Sequence, residues 1–205
     1  MTPEYWIEAK AALAKRDAKL RKIIRKHGDA ALATRGDPFQ TLARSIVGQQ
    51  ISVKAAQSIW DRFHTAAGGM KPKLVLALEE PRLRECGLSR AKASYLRDLA
   101  LHFDSGQVKP KRWPKMDDEA IIEELVQVRG IGRWSAEMFL IFHLLRPDVL
   151  PVADLGLQRA MELHYNGGEL LTRDEMRAIG EAWKPWSSVA TWYLWRSLDP
   201  VPVEY

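Results

Sequence analysis

The chain has 205 residues and one cysteine, Cys86. A lone thiol forms no intrachain disulfide and builds no four-cysteine zinc or iron–sulfur site, so no iron–sulfur cluster is expected. The five histidines, at 27, 64, 102, 143 and 164, show no paired-ligand spacing, which leaves them scattered core or surface roles. Long hydrophobic runs are missing as well. The greasiest stretch, MFLIFHLL, is interrupted by His143 and is far too short to span a bilayer. The amino terminus, MTPEYWIEAK, lacks the basic-then-apolar pattern of a signal peptide, so the expectation is an intracellular protein, cytoplasmic or in the nucleoid if bacterial, and not secreted. There is no repeat of fixed period, no low-complexity tract, and nothing resembling a phosphate-cradling Walker loop.

What is present is ordinary for a folded globular protein: 46% hydrophobic and 28% charged residues. The formal charge of +5 leans mildly towards a polyanionic partner. Apolar residues recur at three and four with almost no sustained period-two alternation, which predicts an all-α fold. In KAALAKRDAKLRKIIRKHG, helical spacing puts Leu13, Leu20, Ile23 and Ile24 on one apolar face, with the lysines on a solvated one. Asp37-Pro38 reads as an N-cap and first helical position for PFQTLARSIV. Ser52 caps VKAAQSIWDRFHTA, which Gly68-Gly69 ends; short helices follow Pro72 and Pro81; Ser89 caps RAKASYLRDLALHF. SGQVKPKRWPKM reads as a surface connector, and Asp117 or Asp118 opens EAIIEELVQV. The later helices end at Arg146-Pro147, start near Leu155, carry a Thr172-x-x-Glu175 capping box, and finish near Leu198 in a segment with four tryptophans.

Gly130-Ile131-Gly132 interrupts this pattern. One reading is a C-cap glycine and a tight interhelical turn. A dinucleotide fingerprint, with Asp154 about twenty residues on, is rejected by context: the preceding DDEAIIEELVQV is helical, and Ser135 stands where Gly or Ala is wanted. The third reading is a helix-hairpin-helix, in which backbone N–H groups and a helix N-terminus approach one DNA phosphate. Such contacts hold any sequence.

Together, LVQVRGIGRWSA and PVADLG resemble the helix-hairpin-helix DNA glycosylase superfamily, and the branch most similar is the alkylation-repair 3-methyladenine DNA glycosylase II group. IVGQQISVKAA, CGLSRAKASYL and KPWSSVATWYLW resemble that branch in the same order, so the likeness spans most of the chain. It implies two helical lobes, 38 to 146 with the hairpin and 1 to 37 plus 147 to 205 as the second, with an interlobe active-site cleft. It also implies a monofunctional N-glycosyl hydrolase that flips and excises alkylated purines, 3-methyladenine and 7-methylguanine among them, from double-stranded DNA in base excision repair.

The resemblance assigns Asp154 as the catalytic carboxylate beside an oxocarbenium-like sugar; an N-cap for LGLQRAMELHY is the plainer role for the same residue. Trp134 and Trp195 match base-pocket positions, where electron-rich rings stack on a cationic base, and Met138 stands where a tyrosine is usual. Members that also cut the backbone carry a lysine at the position of Trp134, so no abasic-site lyase activity is expected. A DNA wedge falls at Gln50, with Gln49 beside it, unless both simply form a polar turn. Phosphate binding falls to Gly130, Gly132, Arg133 and Ser135, and the backbone carbonyls of Val126, Val128 and Ile131 can hold a structural Na⁺ or K⁺. No cofactor is required, and a monomer is expected. Two alternatives stay open: a glycosylase for another damaged or mismatched base, and a non-catalytic helix-hairpin-helix module.

Overall fold

The computed structural model describes residues 2–28, 32 and 36–198. Among these every regular element is a helix, as the three-and-four spacing requires, and no helix is long and apolar enough to cross a membrane. The chain divides into two compact units, Met1–Thr34 with Leu140–Tyr205 as unit 1 and Arg35–Phe139 as unit 2.

Unit 2 is built from α3 (Pro38–Gly48), α4 (Val53–Ala67), α5 (Pro72–Leu76), α6 (Glu80–Glu85), α7 (Arg90–Asp104), α8 (Asp118–Val126) and the start of α9 (Arg133–Phe142). The caps act as their side chains dictate. Asp37 accepts the Gln40 N–H at 2.8 Å, Ser52 that of Ala55, Ser89 that of Lys92, and Asp117, not Asp118, that of Ala120. Each is worth about 1 kcal/mol. Helix α7 packs against α3, α5 and α6, burying Ala93, Leu96, Leu99 and Ala100, so it forms the spine of the unit.

The stretch read as a surface connector is a correction. Residues Pro110–Lys115 form a 3-10 turn that buries Trp113 to 1% exposure. Its ring meets Phe139 edge-on, with centroids 5.4 Å apart, and its N–H donates to Glu124 at 2.8 Å.

Unit 1 comprises α1 (Trp6–Arg16), α2 (Ala18–His27), α10 (Leu155–Tyr165), α11 (Arg173–Gly180) and α12 (Ser187–Leu198). The N-terminal run is two helices instead of one continuous face. Asp17 adopts an extended backbone between them and caps α2 through the Lys19 and Leu20 N–H groups. Leu13, Leu20, Ile23 and Ile24 are nonetheless all buried. Asp17 also accepts the Tyr165 hydroxyl at 2.6 Å and the Trp183 indole N–H at 3.2 Å, so one carboxylate ties α2 to α10 and to the turn before α12. The capping box at Thr172 and Glu175 forms as its spacing requires. Of the four C-terminal tryptophans, Trp183 and Trp192 are core, whereas Trp186 and Trp195 are half-buried. Helix α9 ends at Phe142, earlier than the Arg146-Pro147 stop suggests, and Leu145 takes a positive φ of 54° in the turn that follows.

Candidate active site and nucleic-acid interface

In unit 2, α8 and α9 are joined by the hairpin that carries the two glycines, and each glycine has its own reason to be there. Gly130 has a φ of +87°, and a Cβ on it would lie 2.3 Å from Cδ2 of Tyr95. Only glycine satisfies both constraints. Gly132 has no positive φ, and a Cβ there would meet nothing within 4 Å. The fold alone would accept alanine. Gly132 O accepts the Ala136 N–H at 3.0 Å, so α9 springs from this residue, and the first N–H groups of a helix have no intrahelical acceptor. With the positive end of the helix dipole, they make the exposed surface at Gly132 suited to an anion. Ser135, half-buried, lies in the same first turn.

The side chain of Arg133 is held by two acids. Its guanidinium is bidentate to Glu119, at 2.6 and 2.7 Å, and reaches Glu137 at 3.1 Å. The hydrogen bonds it donates to Glu119 push its pKa further up, while they hold the Glu119 carboxyl low. Two acids thus take up this charge, and the Arg133 main-chain N–H lies in the first turn of α9.

The turn between α3 and α4 separates the two glutamines. Gln49 turns its side chain inward, and its Nε2 donates to Gly130 O at 2.9 Å. Gln50 is exposed and has a φ of 58°. Gln49 is therefore a tether to the hairpin, and Gln50 is the more exposed of the pair. On α9, Trp134 is 38% exposed and Met138, one turn on, is buried at 6%. Val128 O accepts the Ile131 N–H at 3.1 Å, which leaves its second lone pair for a hard cation. No cluster of three His, Cys, Asp or Glu suited to a metal occurs among the described residues.

In unit 1, Asp154 takes the plainer of the two roles read for it. It is the N-cap of α10, its Oδ1 accepting the Leu157 N–H at 2.7 Å, and it is buried to 9% exposure. The same oxygen accepts the Trp195 indole N–H, also at 2.7 Å. Trp195 is less an open stacking platform than the sequence suggests: Phe142 stacks on it, 5.6 Å between centroids and 11° from parallel, and its N–H edge is spent on the carboxylate. A side chain at Gly156 would crowd this contact. A Cβ there would stand 3.1 Å from Asp154 Oδ1 and 3.2 Å from Trp195 Cδ1. Phe142 and Gly156 were not singled out from sequence, although a glycine in the first turn of a helix is itself a signal, since it costs about 1 kcal/mol against alanine.

Comparison with known proteins bears on the family to which the chain belongs. Residues 43–185 match the model of the HhH-GPD superfamily base excision DNA repair protein. The chain is 30% identical to DNA-3-methyladenine glycosylase 1 of Schizosaccharomyces pombe, over 87% of this chain and 80% of that protein. It spans 66%, 80% and 92% of the length of three relatives at 28 to 31% identity. Among solved structures, a DNA-3-methyladenine glycosidase from Bacillus halodurans superposes with a TM-score of 0.87 at 38% identity, covering 94% of this chain and 89% of that one. The S. pombe 3-methyladenine DNA glycosylase in complex with abasic DNA superposes with a TM-score of 0.80 at 28% identity, covering 93% and 96%. By its helices, its hairpin and these matches, the chain belongs to the HhH-GPD superfamily of base excision DNA repair proteins.

Proposed function

We propose that this protein is a monofunctional DNA glycosylase that excises alkylated purines by hydrolysis. The observation that carries the reading is Asp154, a buried carboxylate whose Oδ1 is held by two N–H groups. An alkylated purine already bears positive charge and leaves with the electron pair of its N-glycosidic bond, becoming neutral. Positive charge then develops on the sugar, where a fixed carboxylate stabilises it without having to reorganise. Water adds at C1′ and gives up one proton, towards Asp154 or solvent, leaving free base and an abasic sugar. Because the leaving group is activated, no strong general acid is demanded of the site.

The other assignments follow as parts of the same proposal. The main-chain N–H groups at Gly132, Arg133 and Ser135 grip a phosphate, Gln50 fills the gap in the stack, and Trp134, Trp195 and Met138 contribute to the base pocket. Val126, Val128 and Ile131 would hold any monovalent cation, whose part is to stiffen the hairpin. Trp134 has no amine to form a Schiff base, so borohydride should trap no enzyme–DNA adduct. The protein acts as a monomer without a required cofactor.

The decisive experiment measures free base released from duplex DNA methylated at N3 and N7 of purines, comparing wild type with Asp154→Asn. The expected result is release by wild type, a loss of at least about a hundredfold in the variant, and retained DNA binding by both. Binding by both without release by either would favour a non-catalytic module or a glycosylase for another base.

A further inference from the structure

One face of α7 carries three contacts that the proposed chemistry does not use. Lys92 Nζ donates to Val47 O at 2.8 Å and to Gln49 O at 2.6 Å, satisfying carbonyls at the C-terminal end of α3, where a cation is favoured by the helix dipole. Three residues on, the ring of Tyr95 lies where a side chain on Gly130 would have to be. Three further on, Asp98 Oδ2 accepts the Arg129 N–H at 2.8 Å. Residues spaced by three line one side of a helix, so Lys92 holds the α3–α4 turn while Tyr95 and Asp98 hold the hairpin. Gln49 closes the loop by bonding from that turn directly to Gly130 O.

We infer that α7 is a strut that sets the distance between the exposed Gln50 and the hairpin, and that Lys92 is the positioning residue for Gln50. The inference rests on the reading of Gln50 as a wedge. Gln50 is in the left-handed region, with a φ of 58°, a conformation an L-residue holds only where its surroundings impose it. Lys92 supplies that restraint one residue away. Its partners are neutral carbonyls, and burial lowers its pKa, so the ammonium is retained there for its geometry and not for an ion pair. A wedge enters the helix productively only when the hairpin grips the backbone at a fixed separation, and a strut anchored in the core supplies that separation without any ordering cost on binding.

The test uses duplexes with a tetrahydrofuran abasic analogue opposite 2-aminopurine, whose fluorescence reports unstacking when a side chain fills the gap. Lys92→Met is expected to bind undamaged duplex as wild type does, to lose about tenfold of the preference for the abasic duplex, and to lose most of the fluorescence change. Lys92→Arg should restore both, since it keeps two donors. Adding Lys92→Met to Gln50→Ala should cost nothing beyond Gln50→Ala alone, because the two act through one event. A Lys92→Met variant with wild-type preference and fluorescence overturns the inference, as does a wild type with no preference for the abasic duplex. Should Lys92→Met fail to fold, Asp98→Ala decides, since it frees the hairpin end of the strut at the Arg129 N–H and leaves both lysine bonds in place; the same loss supports the strut and an unchanged preference sinks it. Base release is not read in this assay. Absence of methylpurine excision with an intact Lys92–Gln50 coupling would therefore count against the glycosylase and not against the strut.

Discussion

Gly130 and Gly132 are two residues apart and make opposite demands. Gly130→Ala forces a positive φ on an L-residue and drives a methyl into Tyr95, so it should lower stability by about 1 to 3 kcal/mol in a denaturant titration. Gly132→Ala meets open space at ordinary backbone angles and should leave the denaturation midpoint unchanged, or raise it slightly, while weakening DNA binding about tenfold. Trp195 separates ring from donor in a similar way. Trp195→Phe keeps an aromatic ring against Phe142 but removes the N–H that holds Asp154 Oδ1. Base release under single-turnover conditions should fall about ten- to hundredfold with DNA affinity retained. An unchanged rate would return Trp195 to a pure pocket role.

At the scale of elements, the seam at Asp17 concentrates the most consequence in one side chain. Burial alone would raise its pKa, yet donation from the Tyr165 hydroxyl, the Leu20 N–H, the Trp183 N–H and the Lys19 N–H outweighs that and brings it below the ordinary 3.8. A depressed carboxyl adds stability that is present above its unfolded value and is lost as pH falls through its folded one. Asp17→Asn keeps a capping oxygen but turns donors towards a donor, so it should cost about 1 to 3 kcal/mol near neutrality. That difference from wild type should shrink below about pH 4 in equilibrium unfolding. On the alkaline side the signs reverse: burial pushes Tyr5 up to about 12 and raises Tyr165 as well, so their contribution is whole below pH 10 and fades above it. The seam also marks where sequence stops informing structure. Asp37, Ser52, Ser89 and Thr172 were legible because a cap and its N–H partner lie three residues apart. The cap at Asp17 is equally local, but its role as a seam was hidden, since Tyr165 and Trp183 lie 148 and 166 positions away. Trp113 was hidden for the same reason, burial being set by Phe139 and Glu124 and not by the prolines and lysines around it. In the candidate site, Asp154 and the glycines stand out as residue types in a pattern. The Trp195 bond, the clearance at Gly156 and the reach of Lys92 to Gln49 exist only after folding.

For the molecule as a whole, the formal charge of +5 predicts salt-sensitive DNA binding, with each phosphate neutralised adding about −0.9 to the slope of log K against log salt. Arg133→Gln tests how that charge is distributed. Because Glu119 and Glu137 already occupy the guanidinium, the slope should stay as in wild type; a change of about one unit would show that the side chain leaves its acids for a phosphate. The arrangement of the two units along the chain has a consequence for synthesis. Unit 2 is one continuous segment, Arg35–Phe139, whereas unit 1 takes its first helices from the start of the chain and the remainder from its end, with α2 packed on α12. A ribosome releases α1 and α2 first, yet they wait for α12, and the middle of the protein is complete before either end has its partner. Trp195 belongs to α12, so the proposed catalytic carboxylate gains its second N–H only after α12 has left the ribosome. A nascent chain carries the grip before it carries the blade.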